Sequence, residues 1–278
     1  MSEPYTPWFL PAEQQPATHP QLMGRLAGAE VVLLGERHDQ AAHHRWQLHV
    51  AAGLAAHRPI VMGFEMFPAR LDQVLHSWVF GKLDEDIFLE RCEWANVWGF
   101  PAELYMPIFR FCREMKIPMV GLNCRRELVR EVGAGGWQSV PEENREGLTP
   151  ARPSSEAYRR FIFELTGGGA PGRKVTSAED PGFDRFVRAQ EVWDRAFATR
   201  IRNAVCRPGK PLVVGIIGMG HLQWGGGVPW QLEDFGIHDV RVLIPQGESQ
   251  PMLAAGAADA VFRLPETETE TEAELSDA

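Results

Sequence analysis

Four short apolar runs, each finishing in polar or ionisable residues, constrain the fold of this chain more than any other feature. Glu30–Leu34 leads into Gly35-Glu36-Arg37-His38, and Ile60–Phe64 leads into Glu65. Ile117–Leu122 leads into Asn123, with Arg125 and Arg126 just beyond, and Pro211–Ile217 leads into Gly218-Met219-Gly220-His221. Continuous apolar runs of this length are strands buried on both faces. Stretches with helical spacing separate them, so the expected fold is α/β: a mainly parallel central sheet flanked by helices. Ligands of such sheets bind beyond the carboxyl ends of the strands. Glu36, His38, Glu65 and His221 are therefore expected to meet at one pocket mouth.

The remaining segments fit around that sheet. Residues 1–20 are rich in proline and read as an extended lead-in, and residues 21–264 read as a single domain. Asp39 is placed to cap a helix reaching about His57, and Asp84 to cap another reaching about Trp94. Ala102–Lys116 reads as a helix kinked at Pro107. Helical insertions at about 68–116 and 154–206 are expected to form an added cap subdomain. Residues 133–182, with Gly-rich and Pro-rich turns around a helix near Ser155–Leu165, read as a mobile region or lid. Val240–Ile244 and Ala258–Arg263 read as further strands. Residues 265–278 alternate Glu and Thr and read as an acidic disordered tail.

The strand-end residues define the candidate chemistry. Two carboxylates and two imidazoles suit a divalent metal such as zinc, manganese or iron, held by Glu36, His38, Glu65 and His221. The same four residues could act as general acid and base in a metal-dependent or metal-free hydrolase, with Arg37 or Arg125 steadying an oxyanion. Glu65 lies between bulky apolar neighbours and needs a partner, either an arginine such as Arg37 or Arg125, a histidine or a metal. His43 and His44 add two imidazoles. Adjacent helical residues point about 100° apart, so at most one of them faces the strand ends and the other reads as a surface residue. His49, His57, His76 and His238 read as structural. Gly215–Gly220 lacks the last glycine of a dinucleotide fingerprint, and the sequence holds no P-loop, G-x-S-x-G or H-E-x-x-H motif.

Residues 78–111 concentrate aromatic side chains, among them Trp78, Phe88, Trp94, Trp98, Phe100, Tyr105 and Phe109. They suit either the core of a cap, a dimer contact, or a seat for a large planar ligand such as a porphyrin, with Tyr105 as a candidate axial group. Charge narrows the partners. The net charge is −9, and Glu266, Glu268, Glu270, Glu272, Glu274 and Asp277 concentrate the excess in the tail, leaving a nearly neutral body. A nucleic-acid binder needs a basic face, which argues against that class. No apolar stretch is long enough for a membrane span. The N-terminus has neither a secretory signal nor a lipid-acceptor cysteine, and the four cysteines form no C-x-x-C pair, so the expected location is the cytoplasm.

The motifs Leu34-Gly35-Glu36-Arg37-His38-Asp39 with His43-His44, Gly63-Phe64-Glu65-Met66-Phe67, and Leu104-Tyr105-Met106-Pro107-Ile108-Phe109 continue in Gln190-Glu191-Val192-Trp193-Asp194 and Gly218-Met219-Gly220-His221. In combination they resemble the ChaN-like proteins of the haem-binding uptake and Tiki superfamily, from about Val31 to Arg263. The resemblance implies an α/β core with helical additions, haem as the cofactor, a link to haem or iron uptake and handling, and Tyr105, His43, His44 and Arg125 as cofactor-binding candidates. A homodimer is a further expectation. Related branches look like metal-dependent proteases and erythromycin esterases with a G-E-x-x-H site. Here the motif is G-E-R-H, one residue shorter, so esterase chemistry is not carried over. Many ChaN-like members are lipoproteins, whereas this chain shows no lipid-acceptor cysteine.

Overall fold

The structure, a computed structural model, describes residues 6–168 and 175–265. The chain opens with a hairpin, β1 (Trp8–Leu10) and β2 (Gln15–Ala17), and helix α1 (His19–Leu26). It continues with β3 (Val31–Glu36), α2 (Ala41–Ala55) and β4 (Ile60–Pro68). Four short helices follow, α3 (Asp72–Val79), α4 (Glu85–Arg91), α5 (Trp94–Val97) and α6 (Met106–Glu114), before β5 (Met119–Asn123). Then come α7 (Arg126–Gly135), α8 (Glu156–Thr166) and the long α9 (Asp184–Val205). The order closes with β6 (Leu212–Gly218), α10 (Gly227–Asp234), β7 (Val240–Gly247) and β8 (Ala260–Leu264).

The strands form one sheet in the order β2-β1-β8-β7-β3-β6-β4-β5. Its pairs are parallel except for β1 with β2 and β1 with β8. The residues read as a lead-in thus become the edge of the sheet. Pro16, which has no N–H to give, sits in the outermost strand, where none is required. The acidic tail read as disordered begins at Pro265, and residues 266–278 lie outside the described residues.

Strand alternation divides the core in two. Val32, Leu34, Met62, Phe64, Val214 and Ile216 face α1, α2 and the four helices between β4 and β5. Val31, Leu33, Val61, Val213 and Ile217 face α7, α9 and α10. Most of the aromatic segment belongs to the first core: Trp78, Phe88, Tyr105 and Phe109 are fully buried against the sheet face and one another. These four are packing residues and offer no open seat for a planar ligand. Pro107 lies in the first turn of α6, where its missing N–H breaks no helical bond, and the expected mid-helix kink is absent. Asp84 caps α4 by accepting from the Ile87 N–H, whereas Gln40 rather than Asp39 occupies the N-cap of α2.

The connections fix where a ligand can enter. From β3 the chain crosses through α2 over β6 to β4; from β6 it crosses the other way through α10, over β3 to β7. The two helices leave on opposite faces, one in each core. A crevice therefore opens between the carboxyl ends of β3 and β6, the topological switch point of the sheet.

Candidate functional site

Glu36 ends β3 directly beside Gly218 at the end of β6. Its alternation parity is that of Val32 and Leu34, so its side chain turns toward α2 and α6. The buried carboxylate accepts the Tyr105 hydroxyl at 2.7 Å and the His38 Nδ1–H at 2.8 Å on Oε1. Gln47 Nε2–H donates to Oε2 at 2.9 Å, and His44 Nδ1 lies 3.3 Å from the same oxygen. Burial alone would raise the Glu36 pKa, but the bonds and charges of His38 and His44 outweigh it and hold the group at about 2. Burial works against protonation of His38 and His44, yet the adjoining carboxylate raises both pKa values.

Glu65 has the parity of Val61 and turns toward the opposite face. It accepts the Gly218 backbone N–H, and its Oε1 lies 3.8 Å from His221 Nε2. His221 Nδ1–H donates to Asp194 Oδ1 at 2.6 Å. Burial tends to lower the His221 pKa, and the charge and hydrogen bond of Asp194 overcome it and raise it. Asp194 lies in α9 and is 1 % exposed. The Tyr158 hydroxyl, from α8, stands 3.2 Å from Asp194 Oδ2 and 3.0 Å from the Gly220 carbonyl. Gln190, Trp193, Asp194 and Phe197 lie three and four residues apart on α9 and surround the His221 ring: Asp194 accepts its Nδ1–H, the Gln190 amide lies against the same edge, and the two aromatic rings sit 6.3 and 5.2 Å from it.

Two carboxylate–imidazole pairs thus face one crevice from opposite sides of the sheet. Gly218 lies between them. A Cβ there would come within 2.9 Å of His38 Cε1 and 3.3 Å of Glu65 Oε2, so only glycine lets the His38 ring lie across the strand end. His38 is the more open imidazole, with 29 % of its side chain exposed. Its Nε2 has no hydrogen-bond partner among the described residues, and the rings of Trp98 and Phe100 flank it at 4.7 and 5.3 Å.

The four strand-end residues therefore meet, but not as a metal cage. Among the described residues no three His, Cys, Asp or Glu side chains converge on a common point. Glu36 is saturated by Tyr105, His38, His44 and Gln47, and Glu65 is turned onto a backbone N–H, so the described residues give no support to the divalent metal expected at Glu36, His38, Glu65 and His221. Tyr105 is fully buried with its hydroxyl committed to Glu36, and burial pushes its ionisation far up. It offers no open axial oxygen. His44 faces the strand ends, beside Glu36. His43 is not at the surface: it is buried, and its Nδ1 accepts the Arg37 N–H at 2.9 Å, tying down the β3–α2 turn. Burial and the neighbouring His44 lower its pKa to about 4, so it is neutral. Arg125 points elsewhere, pairing with Glu146 at 3.1 Å, and neither it nor Arg37 is the partner of Glu65. Gln47, Tyr158, Gln190 and Asp194 complete the site. For Gln190 and Asp194 the available signal was a polar pair four residues apart within an otherwise apolar stripe of a long helix; Tyr158 carried none.

The fold and site define an α/β protein with an imidazole–carboxylate crevice at the switch point of its sheet. Residues 22–232 match the family described as haem-binding uptake, Tiki superfamily, ChaN; the chain belongs to that family. Among solved structures, ChaN of Campylobacter jejuni is similar at 18 % identity with a TM-score of 0.72, over 92 % of this chain and 95 % of that one. The type III effector HopBA1 is similar at 12 % identity with a TM-score of 0.49, over 88 % and 92 %. An erythromycin esterase in its open conformation is similar at 13 % identity with a TM-score of 0.47, over 98 % and 87 %. No curated protein matches the chain. No helix among the described residues is long and apolar enough to cross a membrane.

Proposed function

We propose that this protein binds haem at the β3–β6 crevice, with His38 Nε2 as the iron ligand, and that it serves haem or iron handling in the cytoplasm. The observation that carries the reading is the Glu36–His38 pair, found in a chain of a haem-binding family. An imidazole that ligates iron commonly donates its other N–H to a carboxylate, which fixes the tautomer and strengthens the ligand. His38 donates Nδ1–H to Glu36 and presents a free Nε2 beside two aromatic rings, so the residues present fit the group. The Campylobacter jejuni relative is described by its cofacial haem binding. Bound haem would supply the iron centre. The chain's own residues do the holding: Tyr105, Gln47 and His44 fix the Glu36 carboxylate, Glu36 fixes the His38 ring, and Trp98 and Phe100 offer apolar faces to a porphyrin.

Titration of the purified apoprotein with hemin tests this. A Soret shift is expected, His38→Ala should weaken binding at least about tenfold through loss of the axial bond, and Tyr105→Phe should retain most of it. Protonated His38 cannot ligate. Because neighbouring carboxylates raise its pKa above 6.5, affinity should fade on acidification from a higher pH than for an ordinary histidine. No Soret shift, or a His38→Ala protein that binds as tightly as wild type, overturns the reading. Fractionation of cells producing the full-length chain tests the location.

One observation favours a second reading, hydrolysis without a metal. His221, held by the buried Asp194, presents Nε2 beside Glu65 in the manner of a general base. An activated ester such as p-nitrophenyl acetate tests it. Turnover that falls on the order of a hundredfold in Asp194→Asn supports the reading, and turnover no faster than buffer removes it.

A further inference from the structure

A second pocket, about 300 Å³, lies in the groove between α7 and α9. Three arginines line it, Arg126, Arg130 and Arg185, over an apolar floor that includes Val129, Ala189 and the indole of Trp193. No carboxylate lines it, and among the described residues none lies within ion-pair distance of these three guanidinium groups. Arg130 and Arg185 are exposed and have no carboxylate within ion-pair distance among the described residues, so an anion entering the groove meets two guanidinium groups open to it.

The groove adjoins both walls of the crevice. Arg126 donates from its guanidinium to the Val97 carbonyl at 2.8 Å, next to Trp98, whose ring flanks His38. Trp193 lines the groove and also meets the His221 ring at 6.3 Å, edge to face. A ligand lying across the crevice therefore has the groove beside it. Guanidinium groups bind carboxylates through paired, charge-assisted hydrogen bonds, and the indole suits the flat apolar body that carries them.

We infer that the α7–α9 groove is the carboxylate subsite of the tetrapyrrole: Arg130 and Arg185, with Arg126, hold its acidic edge while the ring lies over the crevice. This rests on the haem reading and adds to it the part of the ligand that is recognised. The subsite requires free carboxylates, and this separates it from the axial bond.

The test uses hemin and hemin dimethyl ester, which share the iron and the ring but differ in charge at the acidic edge. Both are titrated in the same detergent buffer into the wild-type protein and Arg130→Gln/Arg185→Gln. Both arginines are exposed, and unchanged circular dichroism and melting temperature will confirm that the variant folds. Arg126 is left in place because it also holds Val97. The wild-type protein should bind hemin roughly ten- to a hundredfold tighter than the ester, the range of one or two charged hydrogen bonds. The double variant should lose that preference, weakening for hemin and unchanged for the ester. Equal binding of the two by wild type, or a double variant that keeps its preference for hemin, overturns the subsite while leaving the haem reading standing. Wild-type protein that binds neither overturns both.

Discussion

His43 is neutral while its neighbour His44 is drawn toward protonation, and the difference comes from what each nitrogen meets. His44 lies against the Glu36 carboxylate, whereas His43 accepts a backbone N–H that protonation would forfeit. A base whose pKa falls from 6.5 to about 4 on folding contributes stability that is whole above 6.5 and is lost as the pH drops toward 4. That contribution is about 3 kcal/mol at neutral pH. In His43→Asn, whose amide oxygen can still accept from Arg37, urea unfolding should show a smaller loss of stability between about pH 7 and about pH 4.5 than in wild type. Glu36 adds to the acid loss lower down, since its contribution is present above 4.5 and disappears toward 2. Tyr105→Phe removes one buried donor from that carboxylate and should cost about 1–3 kcal/mol, read as a lower melting temperature. At this scale the acids and imidazoles at strand ends were legible, because a charged residue closing an apolar run has few places to go. Gln47 was not, and Gln190 and Asp194 stood out only as part of a family-like motif with no role attached, because polar residues on a helix ordinarily face water and only the tertiary packing turns these inward.

The helices show which local signals survive folding. Ser155 was read correctly as lying at the start of a helix, and its side chain accepts from the Tyr158 N–H. Helix α8, within the stretch expected to be a mobile region or lid, delivers Tyr158 into the site and packs it against the turn before α10. A Cβ on Gly226 would lie 2.3 Å from the Tyr158 ring, so the chain reserves that space for the tyrosine. Gly226→Ala should push α8 off its seat at a cost of about 1–3 kcal/mol. Faster amide exchange in Glu156–Thr166, with α9 unchanged, is the expected signature, and unchanged protection of α8 would show that the turn yields instead. The strands were legible because both of their faces are buried. Pro107 misled because the sequence does not show whether a proline sits in a first turn or mid-helix; that depends on where the preceding residues stop being extended. The helices α1 and α10, with eight residues each, were too short to stand out.

Across the whole molecule, the parallel sheet and the gathering of polar residues at its carboxyl ends followed from the alternation of strand and helix, but the strand order, the switch point and the hairpin did not. Its strands have three residues each, too short to reveal a periodicity of two, and proline content suggested a loose end. Burial explains why it stays: Trp8 is 1 % exposed and packs against Trp46 and Phe262. Trp8→Ala should cost about 3–5 kcal/mol, measured by denaturant unfolding, because the void it leaves lies between the sheet edge and α2.

The hairpin's partner is the last strand of the sheet, with Phe9 opposite Val261. During synthesis β1 therefore waits for β8 before it can dock, with the Trp8 indole uncovered meanwhile. A nascent chain halted before β8 would hold its earlier strands without this clasp, so the emergence of β8 is what lets the hairpin dock.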